Sequence, residues 1–152
     1  MPEVPDPEPG VAELVARVVG ATNAHDVDAI VNCFADDYTN ETPAHPLRGF
    51  RGREQVRRNW ERILAAVPDL HAEVIASAVK NNTAWTEWEH RGTRSDGRAH
   101  LMRGVMIFTA TGGLLTRLRF YMEEVEQSTG DIDAAVERAV GAASGGHSKG
   151  ES

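Results

Sequence analysis

Residues 114–126, LLTRLRFYMEEVE, decide the fold. Leu114, Thr116, Leu118, Phe120 and Met122 fall on one side of this stretch and Leu115, Arg117, Arg119, Tyr121 and Glu123 on the other. That is the period-two pattern of a strand with one apolar and one charged face. Such a strand is stable only when it pairs with neighbours that share its apolar face. Three similar segments precede it, 70–79, 84–93 and 99–110, separated by turn residues at 81–82, 95–97 and 112–113. Turns this short predict an antiparallel meander.

Upstream the period changes. Val11, Leu14, Val15, Val18 and Val19 recur at helical spacing, with Asn23 as a stop. Asp26 reads as the N-cap of a short second helix carrying Ala29, Ile30, Cys33 and Phe34 on one face, so that the two helices form a hairpin. Asp36 and Asp37 break that helix, and 38–42 reads as a short strand before the turn-rich segment 43–52. Gly52 opens a third helix with Val56, Trp60, Ile63, Leu64 and Val67 inside and Arg53, Arg57, Arg58 and Glu61 in water, ended by Pro68. Helices first and strands afterwards predict an α+β fold rather than a parallel α/β sheet. After the strands, Asp131 caps a short amphipathic helix with Ile132, Ala135, Val136, Ala139 and Val140 on one side. The expected organisation is a proline-rich tail at 1–10, one domain at 11–142 and a Gly/Ser tail at 143–152.

Bulk properties narrow the function. A chain of 152 residues, 41% of them hydrophobic, suits one domain with a real core. Acids outnumber bases by 23 to 16, which argues against a nucleic-acid partner. The single cysteine, Cys33, cannot form an internal disulfide, and the acidic, proline-rich start is unlike a secretion signal. No apolar run reaches membrane-spanning length. A cytoplasmic protein with no membrane partner is expected.

Strand alternation places Ala84, Thr86, Trp88 and His90 on the inner face of one strand and His100, Met102, Gly104, Met106 and Phe108 on that of the next. Outside, Glu87 or Glu89 would pair with Arg103, Arg117 and Arg119. Most inner residues are core. His90 and His100 flank one turn and carry the group best suited to moving protons near neutral pH.

The order of helices and strands, with FRGREQVRRNW at 50–60, RGVMIF at 103–108 and RLRFYMEEVE at 117–126, resembles the SnoaL-like branch of the nuclear transport factor two-like superfamily. That resemblance, over 11–126, implies a cone-shaped curved antiparallel sheet wrapped around three N-terminal helices, a cystatin-like α+β barrel, here with an extra C-terminal helix. It also implies a homodimer formed through the sheet and a pocket for a small hydrophobic molecule. Relatives include polyketide cyclases, ketosteroid isomerases and limonene epoxide hydrolases. Tyr38 and Asn40 match the Tyr-x-Asn pair with which the epoxide hydrolases hold a water. The acid that cyclases and hydrolases carry on the last strand falls on Phe120, and the hydrolases' arginine and aspartate fall near Trp88 and His90. Either Glu123 or Glu124 supplies the carboxylate, or the chemistry centres on histidine, or it has been lost.

The expected catalytic set is therefore Tyr38, Asn40, His90, His100 and Glu123. Trp60, Trp88, Met102, Met106, Phe108, Leu118, Phe120 and Met122 would shape the pocket. No metal-ligand spacing, phosphate-binding glycine loop or nucleophile elbow occurs, so no metal and no cofactor are expected. The reading is cofactor-independent cyclisation, isomerisation or hydration of a hydrophobic carbonyl or epoxide compound. The alternative is a non-catalytic ligand-binding or assembly module of the same fold.

Overall fold

The computed structural model describes residues 7–127 and 130–144, the last three without their side chains. Most of both expected tails therefore lies outside the described residues. Helix α1 (Val11–Asn23) buries Val11, Leu14, Val15 and Val18, as its spacing predicts. The Asn23 side chain bonds both backbone groups of Ala72, at 2.9 and 2.7 Å, and so ties the helix end to a strand. Helix α2 (Val27–Val31) is capped by the Asp26 carboxylate, which accepts from the Ala29 amide at 3.0 Å.

The second helix is shorter than its sequence pattern suggests. Cys33 follows it, and strand β1 (Phe34–Glu41) begins before the two aspartates rather than after them. Asp36 and Asp37 are exposed within this strand, whereas Phe34, Ala35, Tyr38 and Asn40 are buried. The Leu115 amide donates to the Cys33 carbonyl at 2.8 Å, so pairing with the last strand overrides the local helical spacing. Strand β2 (Phe50–Arg51) leads to α3 (Arg53–Ala66), entered through Gly52 at a φ of 96° that favours glycine. The meander follows as β3 (His71–Lys80), β4 (Thr83–Thr93), β5 (Ala99–Thr111) and β6 (Leu114–Glu124). Helix α4 (Ile132–Ser144) comes last, with the Asp131 carboxylate accepting from the Ala134 amide.

The strands form a single curved sheet in the order β2-β1-β6-β5-β4-β3. This is the expected curved sheet wrapped around N-terminal helices; its meander is antiparallel, β1 runs parallel to β6, and the sheet is not closed, with β2 and β3 at its edges. Helix α1 packs across β3 to β6, and α3 packs on β1 and α2.

A β-bulge overturns part of the alternation in β6. Thr109 pairs with Arg117 while Ala110 pairs with Leu115, so Thr116 is an extra residue on β6. Leu115 therefore turns inward and is fully buried, and Leu114 is only half-buried, opposite to the simple period. Beyond the bulge Leu118 and Met122 are buried as expected. On the outer face Arg103 bonds Glu89 at 3.0 Å. Arg117 and Arg119 instead pair with Glu41 of β1, at 2.8 and 3.7 Å, because β1 and β5, not β4, are the neighbours of β6. Among the described residues no helix is long and apolar enough to cross a membrane.

Candidate functional site

The concave side of the sheet and the helices enclose a cavity of about 460 Å3. Val18 and Thr22 of α1, Asn59, Trp60, Arg62 and Ile63 of α3, and Phe34, Tyr38 and Asn40 of β1 line it. Its remaining walls are Phe50 and Val56, Trp88 and His90 of β4, His100, Met102, Met106 and Phe108 of β5, and Leu118 and Phe120 of β6. This is the usual make-up of a small-molecule pocket, apolar walls with a few polar groups at fixed places.

One polar place is on β1. The Tyr38 hydroxyl, fully buried, donates to Asn40 Oδ1 at 3.0 Å, and Asn40 Nδ2 donates to Thr42 Oγ1 at 3.3 Å. Burial raises the Tyr38 pKa above that of an ordinary phenol, so the hydroxyl stays protonated and acts as a donor. It fixes the amide orientation, and one N–H of Asn40 remains for a ligand.

The second polar place is the histidine pair. His90 pairs across the ladder with Met102, and His100 with Gly92, so the two rings stand on the same face of β4 and β5. The His90 ring lies between two tryptophans, 5.6 Å from Trp88 at an interplanar angle of 87° and 6.3 Å from Trp60. Burial, helped by the neighbouring His100, lowers the His90 pKa from 6.5 to about 4. The ring is then neutral at pH 7. His100 is lowered by burial and by Arg94, against an opposing pull from Glu124. Trp88 has its own partner, since Nε1 donates to Thr86 Oγ1, which donates to the Met106 carbonyl, both at 2.6 Å.

Three buried polar atoms of cavity-lining residues have no hydrogen-bond partner: Thr22 Oγ1, His90 Nε2 and His100 Nδ1. Unpartnered atoms of this kind are uncommon in folded proteins, and three of the four among the described residues belong to residues around one space, the fourth being Arg119 Nε of β6.

Of the expected site residues, the fold gathers Tyr38, Asn40, His90 and His100 around the cavity, with Trp60, Trp88, Met102, Met106, Phe108, Leu118 and Phe120. Met122 is buried in the core but does not line the cavity. Glu123 is not brought to the site. It points to the face opposite Phe120 and Met122 and is exposed, with Oε1 2.6 Å from His45 Nε2. The sequence reading missed Asn59, Thr22 and Arg62. Asn59 sits at i+3 from Val56 and Thr22 at i+4 from Val18, so both lie on the inner stripes of their helices. Nothing in the helical period marks Arg62. No group of three or more possible metal ligands stands together among the described residues.

Several solved structures share this architecture. The epoxide hydrolase/cyclase-like enzyme SalBIII, of pyran ring formation in the polyether salinomycin, is 22% identical with a TM-score of 0.65, over 74% of this chain and 89% of that one. An LEH-like epoxide hydrolase from M. tuberculosis is 16% identical with a TM-score of 0.62, over 72% and 80%. A protein with a ketosteroid isomerase-like fold from Catenulispora acidiphila, in complex with trimethylamine, is 20% identical with a TM-score of 0.60, over 72% and 85%. At these identities the likeness shows the fold alone. No curated protein matches the chain. Residues 15–118, more than half of the chain and most of the cavity wall, match the SnoaL-like domain, and the protein belongs to that family.

Proposed function

We propose that the cavity binds a small, mostly apolar carbonyl or epoxide compound and performs cofactor-independent acid/base chemistry on it, as cyclisation, isomerisation or hydration. The observation that carries this is the set of unpartnered polar atoms on Thr22, His90 and His100 in an otherwise apolar enclosure. Burying such atoms without partners is costly, and a ligand oxygen would satisfy them. The Asn40 amide, oriented by Tyr38, would hold a water or a substrate oxygen. His90, neutral at pH 7, would give or accept a hydrogen bond at the reacting oxygen without carrying charge, and the less buried His100 would move the proton. Water exclusion by the tryptophans and methionines strengthens each of these contacts. The SalBIII and M. tuberculosis neighbours support the reaction class by name.

One observation favours a second reading, a ligand-binding or assembly module without catalysis. No aspartate or glutamate is among the described residues that line the cavity, and Phe120 occupies the position at which the resemblance places an acid. A panel of hydrophobic epoxides and ketones, followed by chromatography and mass spectrometry, separates the two. The enzymatic reading expects turnover that falls about a hundredfold or more in His90→Ala or His100→Ala, the usual scale for a positioned proton-transfer group. Full turnover in both variants would remove histidine from the mechanism, and tight binding with no turnover of any compound would favour the binding module.

We also propose a cytoplasmic homodimer formed through the outer sheet face. There Trp85 and Ile107 face each other across the ladder, as do Val105 and Tyr121, and Trp85, Val105 and Tyr121 are exposed.

A further inference from the structure

The polar groups of the cavity are divided by charge along its length. Asn40 stands in the ladder row of Leu118, Phe108 and Ala84, whereas His90 is six residues further along β4 and His100 lies opposite Gly92. The first end offers a neutral amide and a phenol. The second gathers the basic groups. Ser95, in the turn between β4 and β5, bonds the carbonyls of Ala65 and Ala66 through its hydroxyl and that of Ala66 through its amide. This holds the turn, and His100 beside it, against the end of α3 that carries Arg62. It also covers the carbonyls that would otherwise present the negative end of the helix.

Arg62 lines the cavity, is exposed, and has no ion-pair or hydrogen-bond partner among the described residues. Asn59, one helical turn before Ile63, accepts from Gln55 through Oδ1 at 2.8 Å, which leaves its NH2 group to donate. The acid close to this end, Glu124, is engaged by Arg94. A guanidinium without a partner among the described residues, an amide donor and two imidazoles with unpartnered nitrogens thus line one apolar cavity, and no acid is among its described lining residues.

We infer that the ligand of this cavity is an apolar molecule with a carboxylate at one end, held by Arg62 with donors from Asn59 and His100, while its other end reaches the Asn40 amide. Charge-assisted, two-point contact of this kind is what a guanidinium supplies best. The inference rests on the cavity being a small-molecule site and specifies the chemistry of its occupant.

The test compares matched pairs, decanoate with decanamide and 1-naphthylacetate with 1-naphthylacetamide, by calorimetry and by the fluorescence of the cavity tryptophans at pH 7. The acids should bind about tenfold tighter than their amides, the difference between charged and neutral hydrogen bonding. Arg62→Gln, an exposed substitution whose folding is checked by circular dichroism, should reduce that preference to about twofold. Amides that bind as tightly as the acids overturn the carboxylate inference and leave the cavity reading standing. An acid preference that survives both Arg62→Gln and His100→Asn overturns it as well, because the charge is then held elsewhere. Failure of both series in a protein that binds the neutral ketones or epoxides has the same meaning, whereas failure with those compounds too would remove the cavity reading itself.

Discussion

His90 is where sequence, stability and function meet in one residue. Its ring is 8% exposed, flanked by Trp60 and Trp88, and its pKa falls from 6.5 to about 4. The unfolded chain binds a proton on this residue near its ordinary value, and the folded chain resists doing so until the pH is much lower. Its contribution to stability is therefore complete above about pH 6.5 and is lost as the pH falls towards 4, by roughly 3 kcal/mol in all. In urea unfolding between pH 7 and 4.5, His90→Phe should flatten this dependence, leaving the shallower slope that His100 and the carboxylates give. An unchanged slope would mean that His90 is not desolvated. The sequence showed that this residue faces inward. It did not show the degree of desolvation, because the two tryptophans lie 30 and 2 positions away and only the packing of α3 on the sheet brings both to the ring.

At the scale of elements, regular periods were legible and interruptions were not. The stripe of α1, the Asp26 and Asp131 caps and the inner faces of β4 and β5 follow directly from spacing. The start of β1 and the bulge at Thr116 do not, since each is set by a partner strand distant in sequence. The bulge makes a prediction opposite to the simple alternation. Leu115→Ala should cost about 2–5 kcal/mol in urea unfolding, as for a fully buried leucine, whereas Leu114→Ala should cost under about 1.5 kcal/mol. The reverse order would place Leu114 inside and remove the bulge. The same limit explains the missed site residues. Asn59 and Thr22 were within reach of a helical period applied to polar as well as apolar residues, while Arg62 is assigned to the cavity only by the three-dimensional arrangement.

At the scale of the whole molecule, the sheet has two different faces. The concave one forms the cavity, and the outer one exposes Ile75, Trp85, Val105 and Tyr121 between rows of paired charges. A patch of this kind is suited to a second copy. Sedimentation at micromolar concentration should show a dimer that Val105→Glu converts to a folded monomer, and a monomeric wild-type protein would contradict the proposed dimer. On the other face, the cavity holds a neutral His90 whose unpartnered nitrogen is proposed to meet a ligand oxygen. The most direct measurement is the nitrogen NMR spectrum of the His90 ring at pH 7, before and after addition of a ketone or epoxide that binds. The ring is expected to be neutral, with an Nε2 resonance that moves when the compound binds. A charged ring at pH 7, or a resonance untouched by a bound compound, would contradict it.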